Sequence, residues 1–201
     1  MRDYGLSAFD VRNRFSFSST YELPLGSGKA LFNGATGLAN TLVSGWQLNA
    51  IIGLQDGFPF TPLLGFNRSR DGNTNFPDRP DIAPGRKIDD SIYENNSPNQ
   101  WFDPSVFSLQ PAGTYGNAGR DILESPGLVS VDASLFKTTY ITERLNLQFR
   151  AEFFNLMNRA NLAIPSTTVL TTSGDPASSA GRISRTATQS RQIQFGMKLS
   201  F

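Results

Sequence analysis

Apolar and polar side chains alternate with a period of two in several stretches of the chain, and helical periodicity is hard to find. From residue 9 to residue 23 the odd positions are Phe9, Val11, Asn13, Phe15, Phe17, Ser19, Tyr21 and Leu23. The even ones are Asp10, Arg12, Arg14, Ser16, Ser18, Thr20 and Glu22, so one face is oily and the other charged or hydroxylated. Trp46, Leu48, Ala50, Ile52 and Leu54 then alternate with Gln47, Asn49, Ile51, Gly53 and Gln55, a weaker polar face because Ile51 interrupts it. A third run sets Val129, Val131, Ala133 and Leu135 against Ser130, Asp132 and Ser134. After the short connection 140–143, Leu145, Leu147, Phe149, Ala151 and Phe153 alternate with Asn146, Gln148, Arg150 and Glu152. These two runs should pair as an antiparallel hairpin. The chain closes on Ile193, Phe195, Met197, Leu199 and Phe201 alternating with Gln192, Gln194, Gly196, Lys198 and Ser200.

The pattern predicts an all-β protein of about five antiparallel strands. Strands of ~10 residues at ~3.3 Å per residue, tilted by ~45°, span ~25 Å, the height of an outer-membrane apolar band. Soluble sandwiches prefer strands nearer ~5–6 residues with turn signals at regular spacing. Here the connections are unequal: residues 140–143 are a tight turn, whereas 61–127 and 158–190 are long and rich in Pro, Gly, Asn and Asp. Short turns on one side and long loops on the other are expected of a transmembrane β-barrel. With the C-terminus on the periplasmic side, both long loops face the exterior. The connection 24–44 is then periplasmic, and its length predicts an ordered excursion. Tyr21, Trp46, Phe58, Phe60, Tyr140, Phe9 and Phe201 lie near predicted strand ends, where aromatic rings suit headgroup depth.

Composition narrows function more than fold. Among 201 residues Lys and Arg number 18 and Asp and Glu 17, a net charge of +1 that gives nucleic acid nothing to bind. Cys and His are both absent, which removes thiol and imidazole catalysis, thiolate or imidazole metal sites and disulfides. The first residues, from Met1 to Ser7, lack the apolar centre of a signal peptide, and no stretch reaches the ~18 apolar residues of a spanning helix. Barrel strands escape that hydropathy test because their alternation averages out.

The remaining candidates for chemistry are weak. Gly26-Ser27-Gly28-Lys29 superficially matches a phosphate loop, but Leu23 stands where its first Gly belongs, so a turn is expected. Asp71, Asn73, Asn75 and Asp78 offer oxygen ligands of the kind Ca²⁺ prefers, without the Glu that completes a calcium loop. Glu143, Glu152, Asp132 and Asp121 could only act as an acid–base pair if the fold joined two of them, and they are expected instead to balance Arg144, Arg150, Arg14 and Arg12. Arg12, Arg14, Arg150 and Glu152 are thus expected to face the lumen, where they solvate it or hold an internal plug. No catalytic, cofactor or metal site is expected.

Phe9-Asp10-Val11-Arg12-Asn13-Arg14-Phe15, Gly45-Trp46-Gln47-Leu48, Gly57-Phe58-Pro59-Phe60-Thr61 and Trp101-Phe102-Asp103-Pro104 follow one another in an order that matters as much as their content. Gly113-Thr114-Tyr115-Gly116-Asn117-Ala118-Gly119-Arg120, Pro126-Gly127, the stretch from Gln148 to Asn155 and the terminal Gln194 to Phe201 continue the series over essentially the whole length. Together these strings resemble the C-terminal barrel region of TonB-dependent receptors of the Oar-like group. Asp121-Ile122-Leu123-Glu124-Ser125 and Met157-Asn158-Arg159 depart from the family pattern. The resemblance implies an outer-membrane receptor that takes up an extracellular solute, with a plug preceding the barrel and a periplasmic energy-coupling protein driving it. It further implies that Phe195, Met197, Leu199 and Phe201 form the signal read by the barrel-assembly machinery. On this reading residues 1–201 are a C-terminal fragment without the plug, embedded in outer-membrane lipid. A passive or structural barrel, either porin or adhesin, and a secreted carbohydrate-binding β-sandwich are the alternatives.

Overall fold

A computed structural model describes residues 4–73 and 78–201. Five long strands form one sheet: β1 (Arg14–Glu22), β2 (Trp46–Gln55), β3 (Leu128–Tyr140), β4 (Asn146–Phe154) and β5 (Gln192–Ser200). They lie in chain order, each beside its sequence neighbour, so β1 and β5 are open edges and the barrel is not closed. Between β3 and β4 the turn is fixed by the Ile141 amide donating to Leu145 O at 2.8 Å and the Leu145 amide donating to Thr142 Oγ1 at 3.1 Å.

Register turns the alternation into two faces. Leu147 lies between Thr139 and Leu199, Phe149 between Lys137 and Met197, Ala151 between Leu135 and Phe195, and Phe153 between Ala133 and Ile193. Opposite them Gln148 lies between Thr138 and Lys198, Arg150 between Phe136 and Gly196, and Glu152 between Ser134 and Gln194. On the other half, Leu23 N donates to Trp46 O, Thr138 N to Gly45 O, and Asn49 Nδ2 to Ser134 Oγ. These bonds carry the odd residues of β1 and the even residues of β2 onto the apolar face.

Most of that face is left bare within its own unit, which comprises Arg14–Leu54, Val129–Ala160 and Gln189–Phe201. Phe17 is 47 % exposed, Phe195 67 % and Met197 73 %. A soluble protein packs such a face on a second layer, and a contiguous apolar surface of this size marks contact with something other than water. The sandwich alternative fails here, because the long strands make one layer and not two packed sheets.

The first strand is shorter than the alternation predicts. Phe9 sits in a turn and is 82 % exposed, and the Asn13 amide donates to the Asp56 carboxylate at 3.0 Å instead of extending the ladder. The connection 24–44 holds the expected ordered excursion, in the form of a short helix, α1 (Gly37–Val43). Gly45 links that helix to β2 at φ 73°, and a Cβ there would lie 2.2 Å from Thr138 O, so only glycine fits.

The described residues of Met1–Asn13, Gln55–Leu128 and Asn161–Thr188 form a second compact unit. It has what the sheet lacks, a buried core: Phe60, Leu64, Phe102, Phe107, Ala118, Leu123, Val169 and Leu170. Its strands are two- to six-residue ladders, such as Pro59–Phe60 with Leu123–Glu124. The two long connections are knitted together, since Leu63 N donates to Thr167 O at 2.8 Å and Val169 N to Leu63 O at 2.9 Å. They are therefore not two separate polar loops.

Candidate functional site

Two surfaces are placed to act: the polar face of the sheet and a cleft in the second unit. Arg150 and Glu152 lie on the polar face, and Arg14 opens β1 on the same side as Ser16 and Ser18. The expected balancing of charges takes another form. Arg150 Nε donates to Gln148 Oε1 at 2.7 Å, and its guanidinium lies 5.0 Å from the centroid of the Phe136 ring. Phe136 is its cross-strand partner, and this stacked position needs no carboxylate to hold it. Asp132 accepts the Asn155 amide at 2.8 Å, ending β4 instead of pairing with an arginine.

Arg12 is not part of the sheet. It lines a small cleft of about 120 Å³ in the second unit, together with Asp10, Asp56, Asp121 and Glu124. Asp121 is held by a reciprocal pair with Thr61, which donates from Oγ1 at 2.8 Å and accepts the Asp121 amide at 2.9 Å, and Arg120 Nε lies 3.9 Å away.

The larger cleft, of about 330 Å³, is lined by Phe60, Trp101, Phe102, Ile88, Ile122 and Leu123, with Asp89, Asn96 and Glu124 among the polar groups at its walls. An aromatic wall with a few polar groups is the usual make-up of a small-molecule site, and the volume lies at the lower end of the ~300–1,000 Å³ such sites span. Trp101 is fixed by its indole N–H, which donates to Glu124 O at 2.8 Å. Phe102 packs on Phe60 and Phe107 with ring centroids 5.9 and 6.3 Å apart. Beneath it Asp103 caps the Pro104–Val106 turn by accepting the Ser105 amide, and Arg86 reaches it at 3.3 Å. Burial pushes this carboxyl up, but the Ser105 hydrogen bonds and the Arg86 guanidinium outweigh it and hold the pKa below its ordinary value.

The alternation pattern does not mark this cleft, although Trp101 and Phe102 are a signal of it: a bulky apolar pair inside a polar, proline-rich stretch. Phe60, expected at headgroup depth, is instead 5 % exposed in the core of the second unit, against Phe102. Tyr21, Tyr140 and Phe201 do stand exposed at strand ends, at 56, 76 and 98 %.

The other candidates resolve into loop architecture. Asp78 is buried with both oxygens on Ser69, and Asp71 accepts the Asn73 amide at 2.8 Å, while Asn75 lies outside the described residues. Among the described residues no cluster of acidic side chains is arranged to hold a metal ion. In the Gly26–Lys29 turn the amides of Ser27 and Gly28 donate to Asn40 and Asn33 side chains, leaving neither for a phosphate.

On β5, Phe195, Met197 and Leu199 share the apolar face and pair with Ala151, Phe149 and Leu147, and the Phe149 and Phe195 rings stack at 6.1 Å. Among the described residues no helix is long and apolar enough to cross a membrane, which does not bear on crossing by strands. The sequence model of the family described as "Outer membrane beta barrel domain" matches residues 1–194. No curated protein and no solved structure matches the chain.

Proposed function

We propose, from the premise that this chain belongs to the outer membrane β-barrel domain family and resides in the bacterial outer membrane, that it is the barrel portion of an energy-coupled receptor. In that role it takes up an extracellular solute as a TonB-dependent receptor of the Oar-like group does. One observation supports this above the others: the long connections build a cored unit with a formed aromatic cleft. A passive pore needs no such investment in its loops, whereas a receptor that captures a scarce solute does. Under the rule that long connections face the exterior, the cleft meets the medium.

Five strands fall short of the ~8 that the smallest single-chain barrels use, so the reading includes further strands and a plug supplied from outside residues 1–201. The periplasmic energy-coupling protein acts through that plug. The terminal residues Phe195, Met197, Leu199 and Phe201 serve barrel assembly, and Arg14, Arg150 and Glu152 solvate the lumen or hold the plug.

The test is solute capture by whole cells. Trp101→Ala should weaken capture by about 2 kcal/mol, roughly thirtyfold, without lowering the amount of barrel in the membrane. Uptake should stop when the energy-coupling protein is deleted. Uptake that survives that deletion favours a passive pore instead.

A further inference from the structure

The connection 24–44 carries apolar side chains that its own unit leaves bare. Leu38 and Leu42 are 84 % and 70 % exposed on α1, and four-residue spacing puts them on one side of the helix. Just before it Leu31 and Phe32 are 55 % and 63 % exposed. Phe32 holds φ 57°, a conformation bulky residues rarely adopt. The same stretch contains Lys29 and no acidic residue.

Two side chains of the sheet fix where α1 lies. Trp46 Nε1 donates to Leu42 O at 3.0 Å, and Lys137 Nζ donates to Thr41 O at 2.7 Å and to Thr139 Oγ1 at 3.1 Å. Register puts Lys137 opposite Phe149, on the apolar face, and its Nζ lies 5.8 Å from the centroid of the Trp46 ring. The last carbonyls of a helix lack internal donors and carry partial negative charge, so an ammonium and an indole N–H there cap the helix. This accounts for the lone cation on the apolar surface: its stem lies along that surface, its head is used by the helix end, and only 9 % of the residue is exposed. α1 is thereby docked on the apolar side of the sheet, at the end that also carries the 141–145 turn.

We propose that residues 24–44 form a membrane foot, with α1 lying in the bilayer interface and Leu38 and Leu42 at the boundary between phospholipid headgroups and chains. The inference rests on the lipid-facing assignment of the apolar face, with which the patch is continuous through Trp46. Interfacial helices bury an apolar side ~5–10 Å deep in this way, and Lys29, unopposed by acid in the segment, suits the phosphate layer.

The chain has no native cysteine, so single ones can be introduced and spin-labelled. The protein is reconstituted in phosphatidylethanolamine–phosphatidylglycerol bilayers, and collisions with oxygen, which concentrates in lipid, are compared with those of a water-soluble nickel chelate. Labels at Leu38→Cys and Leu42→Cys should resemble Phe195→Cys, with an oxygen preference several-fold above that of Glu143→Cys in the turn at the same end. Lys137→Met should erase that preference at position 38 and leave it at 195. Labels at 38 and 42 as wet as the one at 143, or shielded from both reagents as under a protein partner, overturn the proposal while the barrel stands. A wet label at 195 overturns the lipid-facing assignment itself.

Discussion

Single residues set the conformations that the alternation cannot specify. Gly45 is forced by Thr138 O and by φ 73°, so Gly45→Ala should cost about 1–3 kcal/mol, read as a lower urea midpoint for unfolding from bilayers. Asp103 has its pKa lowered in the fold, so its contribution to stability is present above its unfolded value and is lost as pH falls through the folded one. Protease resistance of the second unit should therefore drop below about pH 4, the unfolded range of a carboxyl, and less so in Asp103→Asn. Pairings of this kind were out of sight in the sequence. Arg86 is 17 positions from Asp103 and Lys137 96 from Thr41, and no local pattern joins them. Arg12 was misplaced for a related reason, since alternation continues on paper beyond the point where Asp56 stops the ladder.

Elements were legible in proportion to how much of their environment is uniform. Each long strand sees one medium on each face, so period two records it, and the hairpin of β3 and β4 with its turn follows almost directly. The second unit has no such uniform surroundings. Its core joins Phe60 to Val169 through ladders only a few residues long, and the composition that marks turns conceals the few apolar residues that matter. α1 is seven residues, too short for a helical period to register. Phe102→Ala removes a ring buried between Phe60 and Phe107 and should destabilise the second unit by about 3–5 kcal/mol. Brief protease treatment of intact cells should then cut within residues 55–128 while the strands stay protected.

At the scale of the whole molecule the decisive property is a single-layered sheet whose oily face, among the described residues, is left mostly exposed beyond the end where α1 docks, in a chain of the outer membrane barrel family. On the proposed reading lipid covers this face, and the register then specifies which residues touch it. Phe195 and Gln194 are adjacent in the middle of β5 but belong to opposite faces, paired with Ala151 and Glu152. The most direct measurement is the fraction of protein that assembles into the outer membrane in a urea-resistant form for Phe195→Lys and for Gln194→Lys. A lysine on the lipid face near mid-bilayer costs about 2–4 kcal/mol, so Phe195→Lys should assemble poorly and Gln194→Lys like the parent. Equal assembly of the two variants would contradict the account.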